Sequence, residues 1–251
     1  MPGPIALIGQ NDIDTRAELD RHLLERSGGN EVLLIPTATV EWPRARATEL
    51  LNQRVGFYEE KLGTKVTVPE VFSREDAHDP AHIQAVEKAN YIFLTGGRPK
   101  PLAEILRGTP LWRAILDRWQ AGAVLAGESA GAVVLTEYVI DSEGVGKGGK
   151  GPVVPDPYWY TYEATGLGLL PGMRVLPHSD TAKGQWMLTS MLAATSIHVP
   201  ILAVPENAGV VRGPDGDWIT VGAPGVVVFH KGAHHSLDAL AAVEPNPEAG
   251  I

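Results

Sequence analysis

The sequence predicts an α/β protein: a three-layer sandwich with a mostly parallel sheet, helices on both faces, and an antiparallel extension at the C-terminal end. Three observations predict it. Short, near-continuous apolar runs at 5–9, 32–36, 91–95 and 123–127 read as strands buried on both faces. Longer stretches with helical spacing separate these runs, and that alternation builds parallel sheets. After Pro200 the pattern switches to strands joined by short turns such as Pro214-Asp215-Gly216, which points to antiparallel pairing.

Taken in order, residues 5–9 form the first strand. Helical spacing of Leu19, Leu23 and Leu24 predicts a helix over 15–26. Residues 32–36 form a second strand. A long helix follows over 43–62, with Pro43 tolerated in its first turn. Weak alternation over 65–72 suggests a third strand. A helix over 80–89 precedes the strand at 91–95, which ends in Gly96-Gly97. A helix over 111–120 precedes the strand at 123–127. Later strands are expected at 201–204, 209–212, 218–221 and 226–229. Residues 142–171 fit neither pattern. They are glycine-rich and carry Tyr158, Trp159, Tyr160 and Tyr162. A loop this long is either a surface excursion packed by its own aromatics or a lid over a site. One domain is expected over 1–243, with a loose tail over 244–251.

The composition is ordinary for a globular chain: 251 residues, 44% hydrophobic and 20% charged. A net charge of −9 without a basic run argues against nucleic-acid binding. With no cysteine there are no disulfides and no thiol chemistry. No apolar run reaches membrane-helix length, and the start does not read as a signal peptide, so a cytoplasmic location is expected. No cofactor, metal or membrane is expected. The expected partner is a small peptide or amide substrate, and the expected assembly is a monomer or homodimer.

The chemistry concentrates at Gly127-Glu128-Ser129-Ala130-Gly131. A serine between a buried strand and a helix start is lifted out of the sheet on a sharp turn, and small neighbours let the backbone close up. The Ala130 N–H and the helix's positive end then face a developing oxyanion. Gly97, at another strand's carboxyl end, is placed to supply a second N–H, because ligands of open α/β sheets bind outside those ends. Arg98 beside it suits a carboxylate.

A serine nucleophile needs a base. Of eight histidines, His178 ends a strand-like segment and is the best placed. His22 and His82 fall on helices, His78 in a polar turn, and His198, His230, His234 and His235 in loops or towards the tail. The candidates for the acid that orients the imidazole are Glu206, at another strand end, and its rivals Asp180 and Asp141. The order serine, histidine, glutamate differs from that of α/β-hydrolases despite the Gly-x-Ser-x-Gly match.

Three features together resemble the serine peptidase family that contains aspartyl dipeptidase (dipeptidase E) and cyanophycinase. They are Leu94-Thr95-Gly96-Gly97, the run from Gly127 to Ala132, and Pro177-His178 with Pro205-Glu206. The resemblance spans nearly the whole chain. It implies a fold like that of class I glutamine amidotransferases with serine in place of cysteine. It implies a triad of Ser129, His178 and Glu206, an oxyanion hole from Gly97 and Ala130, and hydrolysis through an acyl-enzyme. Glu128 stands where those relatives more often carry a neutral residue. Glu128 and Asp180 on one side, Arg98 and Lys183 on the other, are candidate substrate contacts, with Glu128 suited to a cationic group. The expected function is an exopeptidase or isopeptidase on a short peptide, Asp-containing peptides included. An amidase or esterase on a non-peptide small molecule, and a non-catalytic small-molecule-binding relative, are the competing readings.

Overall fold

The computed structural model describes residues 1–9, 17–139, 165–193 and 199–251. The strands in chain order are β1 (Ile5–Ile8), β2 (Glu31–Ile35), β3 (Lys65–Thr67), β4 (Tyr91–Leu94), β5 (Val124–Glu128), β6 (Arg174–Pro177), β7 (Ile201–Val204), β8 (Ala208–Arg212), β9 (Trp218–Gly222), β10 (Val227–His230) and β11 (Ala233–His235). The helices are α1 (Ala17–Ser27), α2 (Arg44–Gly56), α3 (Pro80–Lys88), α4 (Pro99–Leu106), α5 (Pro110–Gln120), α6 (Ala130–Leu135) and α7 (Ala182–Ala193).

The main sheet runs β3-β2-β4-β5-β1-β8-β9. The five strands from β3 to β1 are mutually parallel, with Leu94 opposite Gly127 and Ile8 opposite Glu128. Alternate side chains leave these strands on opposite faces. On one face Leu33, Ile35, Ile92, Leu94 and Leu125 bury against Val86, Leu102, Trp112 and Val134 of the helices. On the other, Ala6, Ile8, Leu34, Phe93 and Ala126 bury against Leu19, Leu23, Phe57 and Tyr58. These two cores make the three layers. The second also contains Asp20, fully buried, which accepts hydrogen bonds from the Tyr58 and Tyr91 hydroxyls at 2.9 and 3.0 Å, satisfying a carboxylate that would otherwise be costly to bury.

The C-terminal strands divide between two sheets. β8 and β9 extend the main sheet antiparallel beyond β1. β7, β10 and β11 instead join β6 in a second sheet, ordered β11-β10-β7-β6, with β6 and β7 parallel. One face of this sheet (Val175, Leu202, Val204, Val228) closes the main core, and the other (Leu176, Ile201, Ala203, Phe229) packs on Met187, Leu188 and Met191 of α7.

Several boundaries differ from expectation. The helix expected over 43–62 is α2 followed by one π turn at Phe57–Lys61, and the strand expected over 65–72 ends at Thr67. α4 was not expected. It opens on Pro99 in its first turn, where a missing N–H costs nothing. The segment 244–251, expected to be loose, is tied down. Trp112, fully buried, needs an acceptor for its indole N–H and finds the Ala249 carbonyl at 2.7 Å. The N–H groups of Gly108 and Asn246 bond the Gly250 and Leu169 carbonyls, at 2.6 and 2.8 Å. Residues 142–164 of the aromatic excursion, with Asp141 and His198, lie outside the described residues. No helix among the described residues is long and apolar enough to cross a membrane.

Candidate active site

β5 carries the chain to the middle of the main sheet, where Ser129 turns it into α6. The Ser129 N–H still bonds the Ile8 carbonyl at 2.9 Å, while its own carbonyl already accepts from Val133 at 3.0 Å. Making both bonds requires φ 50° and ψ −109°, a conformation that costs a non-glycine residue about 1–3 kcal/mol. The flanking glycines permit it by close approach: a Cβ on Gly127 would strike the Gly131 backbone, and one on Gly131 would strike the Leu94 backbone. Ala130 opens α6, so its N–H belongs to the first turn, which has no intrahelical acceptor.

Gly96-Gly97 follow β4. Gly97 has φ 150° and presses on Ala38, where a Cβ would strike the carbonyl, and the Arg98 N–H bonds that same carbonyl at 2.7 Å. A Cβ on Gly96 would lie 3.5 Å from Ser129 Cβ, so this turn sits against the serine.

The histidine and glutamate come from the second sheet. β6 and β7 are paired with Pro177 opposite Val204, so the residues just beyond their ends meet. His178 Nε2 lies 2.9 Å from Ser129 Oγ, and His178 Nδ1 lies 3.1 Å from Glu206 Oε1. This geometry fits the tautomer in which Nδ1–H donates to Glu206 and Nε2 accepts from the serine hydroxyl. His178 has φ 55°, and so does not continue the strand. Hydrogen bonds from the start of α7 hold that turn. Thr181 Oγ1 donates to the His178 carbonyl at 2.8 Å and accepts from the Gly184 N–H at 3.0 Å, while Gln185 Nε2 donates to the Ser179 carbonyl at 2.7 Å.

Of the rival acids, Asp180 does not reach the imidazole. Its Oδ1 accepts the Glu206 N–H at 2.8 Å, and so it buttresses the residue that does. Asp141 lies outside the described residues. The other described histidines are spent elsewhere or exposed: His22 accepts from Arg26, His78 and His82 contact the Arg74 and Asp76 carbonyls, and His230, His234 and His235 lie on β10 and β11.

These residues open onto a cavity of about 620 Å³ lined by Ser129, His178, Glu206, Gly97 and Ala130, with Lys183, Arg46 and Trp42 on its walls. The remaining candidate contacts differ from expectation. Arg98 lies outside this lining among the described residues, and its Nε pairs with Glu41 at 3.3 Å. Glu128 lines the cavity but does not offer a bare carboxylate to a cation, because Nη2 of Arg54 reaches its two oxygens at 2.8 and 2.7 Å. Arg54 was missed in the sequence. A weak signal was present: Arg46, Leu50, Gln53 and Arg54 share helical spacing, and all four face the cavity. The Arg46 guanidinium stacks 4.1 Å over the Trp42 ring at the same wall, a cation–π contact.

The model of peptidase family S51 matches residues 5–216. The cyanophycinase of Trichormus variabilis is 29% identical over 216 residues, which is 84% of this chain and 67% of that protein. A solved peptidase from an acI-B1 actinobacterium is 27% identical, with a TM-score of 0.74 over 94% of this chain and 97% of that one. A protein assigned as peptidase E from Listeria monocytogenes has a TM-score of 0.60 over 89% of this chain and 100% of that one, and at 20% identity it speaks to the fold alone.

Proposed function

The chain belongs to peptidase family S51, and from that premise we propose that it hydrolyses short peptides through an acyl-enzyme on Ser129, with His178 as base and Glu206 as its orienting acid. The observation that carries this reading is the unbroken relay of 2.9 Å from Ser129 Oγ to His178 Nε2 and 3.1 Å from His178 Nδ1 to Glu206 Oε1.

In this mechanism Ser129 gives its proton to His178 Nε2 as Oγ attacks the scissile carbonyl. Glu206 stabilises the imidazolium without taking its proton. The oxyanion receives the N–H groups of Gly97 and Ala130, backed by the positive end of α6. His178 then protonates the departing amine. Water, deprotonated by the same imidazole, releases the acyl group and restores Ser129.

A cavity of about 620 Å³ is of the ordinary size for a small ligand, which supports a short peptide as substrate. Lys183 and Arg46 bring positive charge to its walls, which suits a peptide with a carboxylate near the scissile bond, Asp-containing peptides included. Compensation of Glu128 by Arg54 removes the case for a cationic partner at that point.

The test is a panel of dipeptides and short isopeptides, with and without Asp, followed by mass spectrometry for wild type and Ser129→Ala. Cleavage by wild type alone, faster for peptides with Asp beside the scissile bond, is expected. Activity that survives in Ser129→Ala would refute the serine mechanism, and equal cleavage of neutral peptides would refute the substrate class.

A further inference from the structure

The pair formed by Arg54 and Glu128 is buried, with side chains 4% and 5% exposed, and joins residues 74 apart in sequence. Glu128 is bonded directly to the serine residue. A Cβ on Gly96 would lie 3.3 Å from Glu128 Oε1 and 3.5 Å from Ser129 Cβ, so the carboxylate stands at the Gly96-Gly97 turn beside the serine. That is the side on which the oxyanion develops. A carboxylate there without a cation beside it, in a side chain only 5% exposed, would repel that charge.

We propose that Arg54 is a positioning residue for the reaction: acting through Glu128, it cancels a carboxylate charge that would otherwise oppose the oxyanion. The inference rests on Ser129 as nucleophile and on Gly97 and Ala130 as oxyanion donors. Fold stability alone is a poor reason for the pair, because a buried ion pair is commonly no more stabilising than apolar side chains of similar volume. Its place is what distinguishes it. α2 also presents Arg46, Leu50 and Gln53 to the cavity, so the pair ties that wall to the serine turn.

The inference predicts that two substitutions are better than one. The rate of phosphonylation of Ser129 by a fluorophosphonate, read by intact-protein mass spectrometry, serves as the probe because it also builds negative charge on an oxygen in the same hole. Arg54→Gln takes this guanidinium from Glu128 and, assayed at a pH high enough to keep the buried carboxyl ionised, is expected to slow labelling about ten- to a hundredfold. Arg54→Gln with Glu128→Gln removes both charges and is expected to return within about fivefold of wild type. Thermal melts of each variant report the fold separately. A folded double variant as slow as Arg54→Gln, or an Arg54→Gln variant as fast as wild type, overturns the inference. Should Arg54→Gln not fold, Arg54→Lys keeps the charge. Because lysine offers a point charge in place of the guanidinium, Arg54→Lys is then expected within about tenfold of wild type and the double variant within about fivefold, and a slow, folded double variant again overturns the inference. Failure of wild type to label at Ser129 would instead overturn the nucleophile assignment, and this inference with it.

Discussion

Ser129 stands at the end of the central strand of the main sheet, with β1 and β4 on either side and Gly127 and Gly131 letting α6 close onto the backbone. His178 and Glu206 extend from two strands of the smaller sheet, held in turns by the Thr181 hydroxyl, which donates to the His178 carbonyl, and by the Asp180 carboxylate, which accepts the Glu206 N–H. The first region is fixed by backbone packing that leaves no space. The second adds polar contacts on part-exposed residues, with His178 and Glu206 27% and 41% exposed, to one tight backbone approach, that of Gly184 to the His178 carbonyl. The difference teaches where each kind of damage should appear. Changes near Ser129 should cost fold and chemistry together, whereas changes to the polar contacts of His178 and Glu206 should cost chemistry with little loss of fold.

The largest expected effects remove reacting groups and leave this packing alone. Ser129→Ala and His178→Ala are each expected to lower turnover by about 10⁴-fold or more. Ser129→Gly separates the two consequences: it abolishes turnover and, by relieving φ 50°, is expected to stabilise the fold by about 1 kcal/mol. A denaturant melt in which Ser129→Gly is less stable than wild type would contradict the strained turn.

Next come two matched glycines. Gly131→Ala forces a Cβ into the Leu94 backbone, and Gly184→Ala forces one into the His178 carbonyl. Gly131→Ala is expected to destabilise by about 2–3 kcal/mol. Gly184→Ala meets backbone at least as closely and is expected to destabilise by a similar amount, and also to slow labelling of Ser129 about tenfold through displacement of the imidazole. A folded Gly184→Ala variant that labels at the wild-type rate would contradict the coupling of this turn to the imidazole.

A third test lies far from both. Deleting residues 246–251 leaves the Trp112 indole N–H without its acceptor and is expected to cost about 1–3 kcal/mol with turnover per folded molecule unchanged. Asp180→Asn, which weakens the buttress on the Glu206 N–H, is expected to lower turnover about three- to tenfold with no change in melting temperature.

The smallest effect is a pH dependence. The backbone N–H of Phe72, and then the Ser73 side chain, hold the Asp76 carboxyl below its ordinary value. A depressed folded pKa means the stabilisation is present above the ordinary carboxylate range and is lost as pH falls through the folded value. Asp76→Ala is therefore expected to flatten the acid limb of stability slightly, and a melt-versus-pH series for wild type and variant reads it.

Much of this was legible in the sequence because local physics produced it. The runs at β1, β2, β4 and β5 are apolar on both faces, so their burial shows without partners. The turn at Ser129 shows because Gly127 and Gly131 are placed where only a close backbone approach asks for them. The positions of His178 and Glu206 at strand ends were visible too. Other features depend on the tertiary fold. Strands after Pro200 look alike in sequence, and only pairing decides that β8 joins β1 while β7 joins β6. The roles of Asp180 and Glu206 turn on which oxygen faces an imidazole, a matter of side-chain direction. The tail looked loose because its anchor, Trp112, lies 137 residues before Ala249. Arg54 drew no notice because nothing local in its helix marks it, and only its neighbour across the fold explains its burial.

The central claim is that Ser129 is a nucleophile activated across the two sheets, and peptide mapping after fluorophosphonate labelling tests it most directly. The account predicts one adduct, on Ser129, absent in Ser129→Ala and formed at least about a hundredfold more slowly in His178→Ala. An adduct on another residue, or labelling of Ser129 at the same rate without His178, would contradict it.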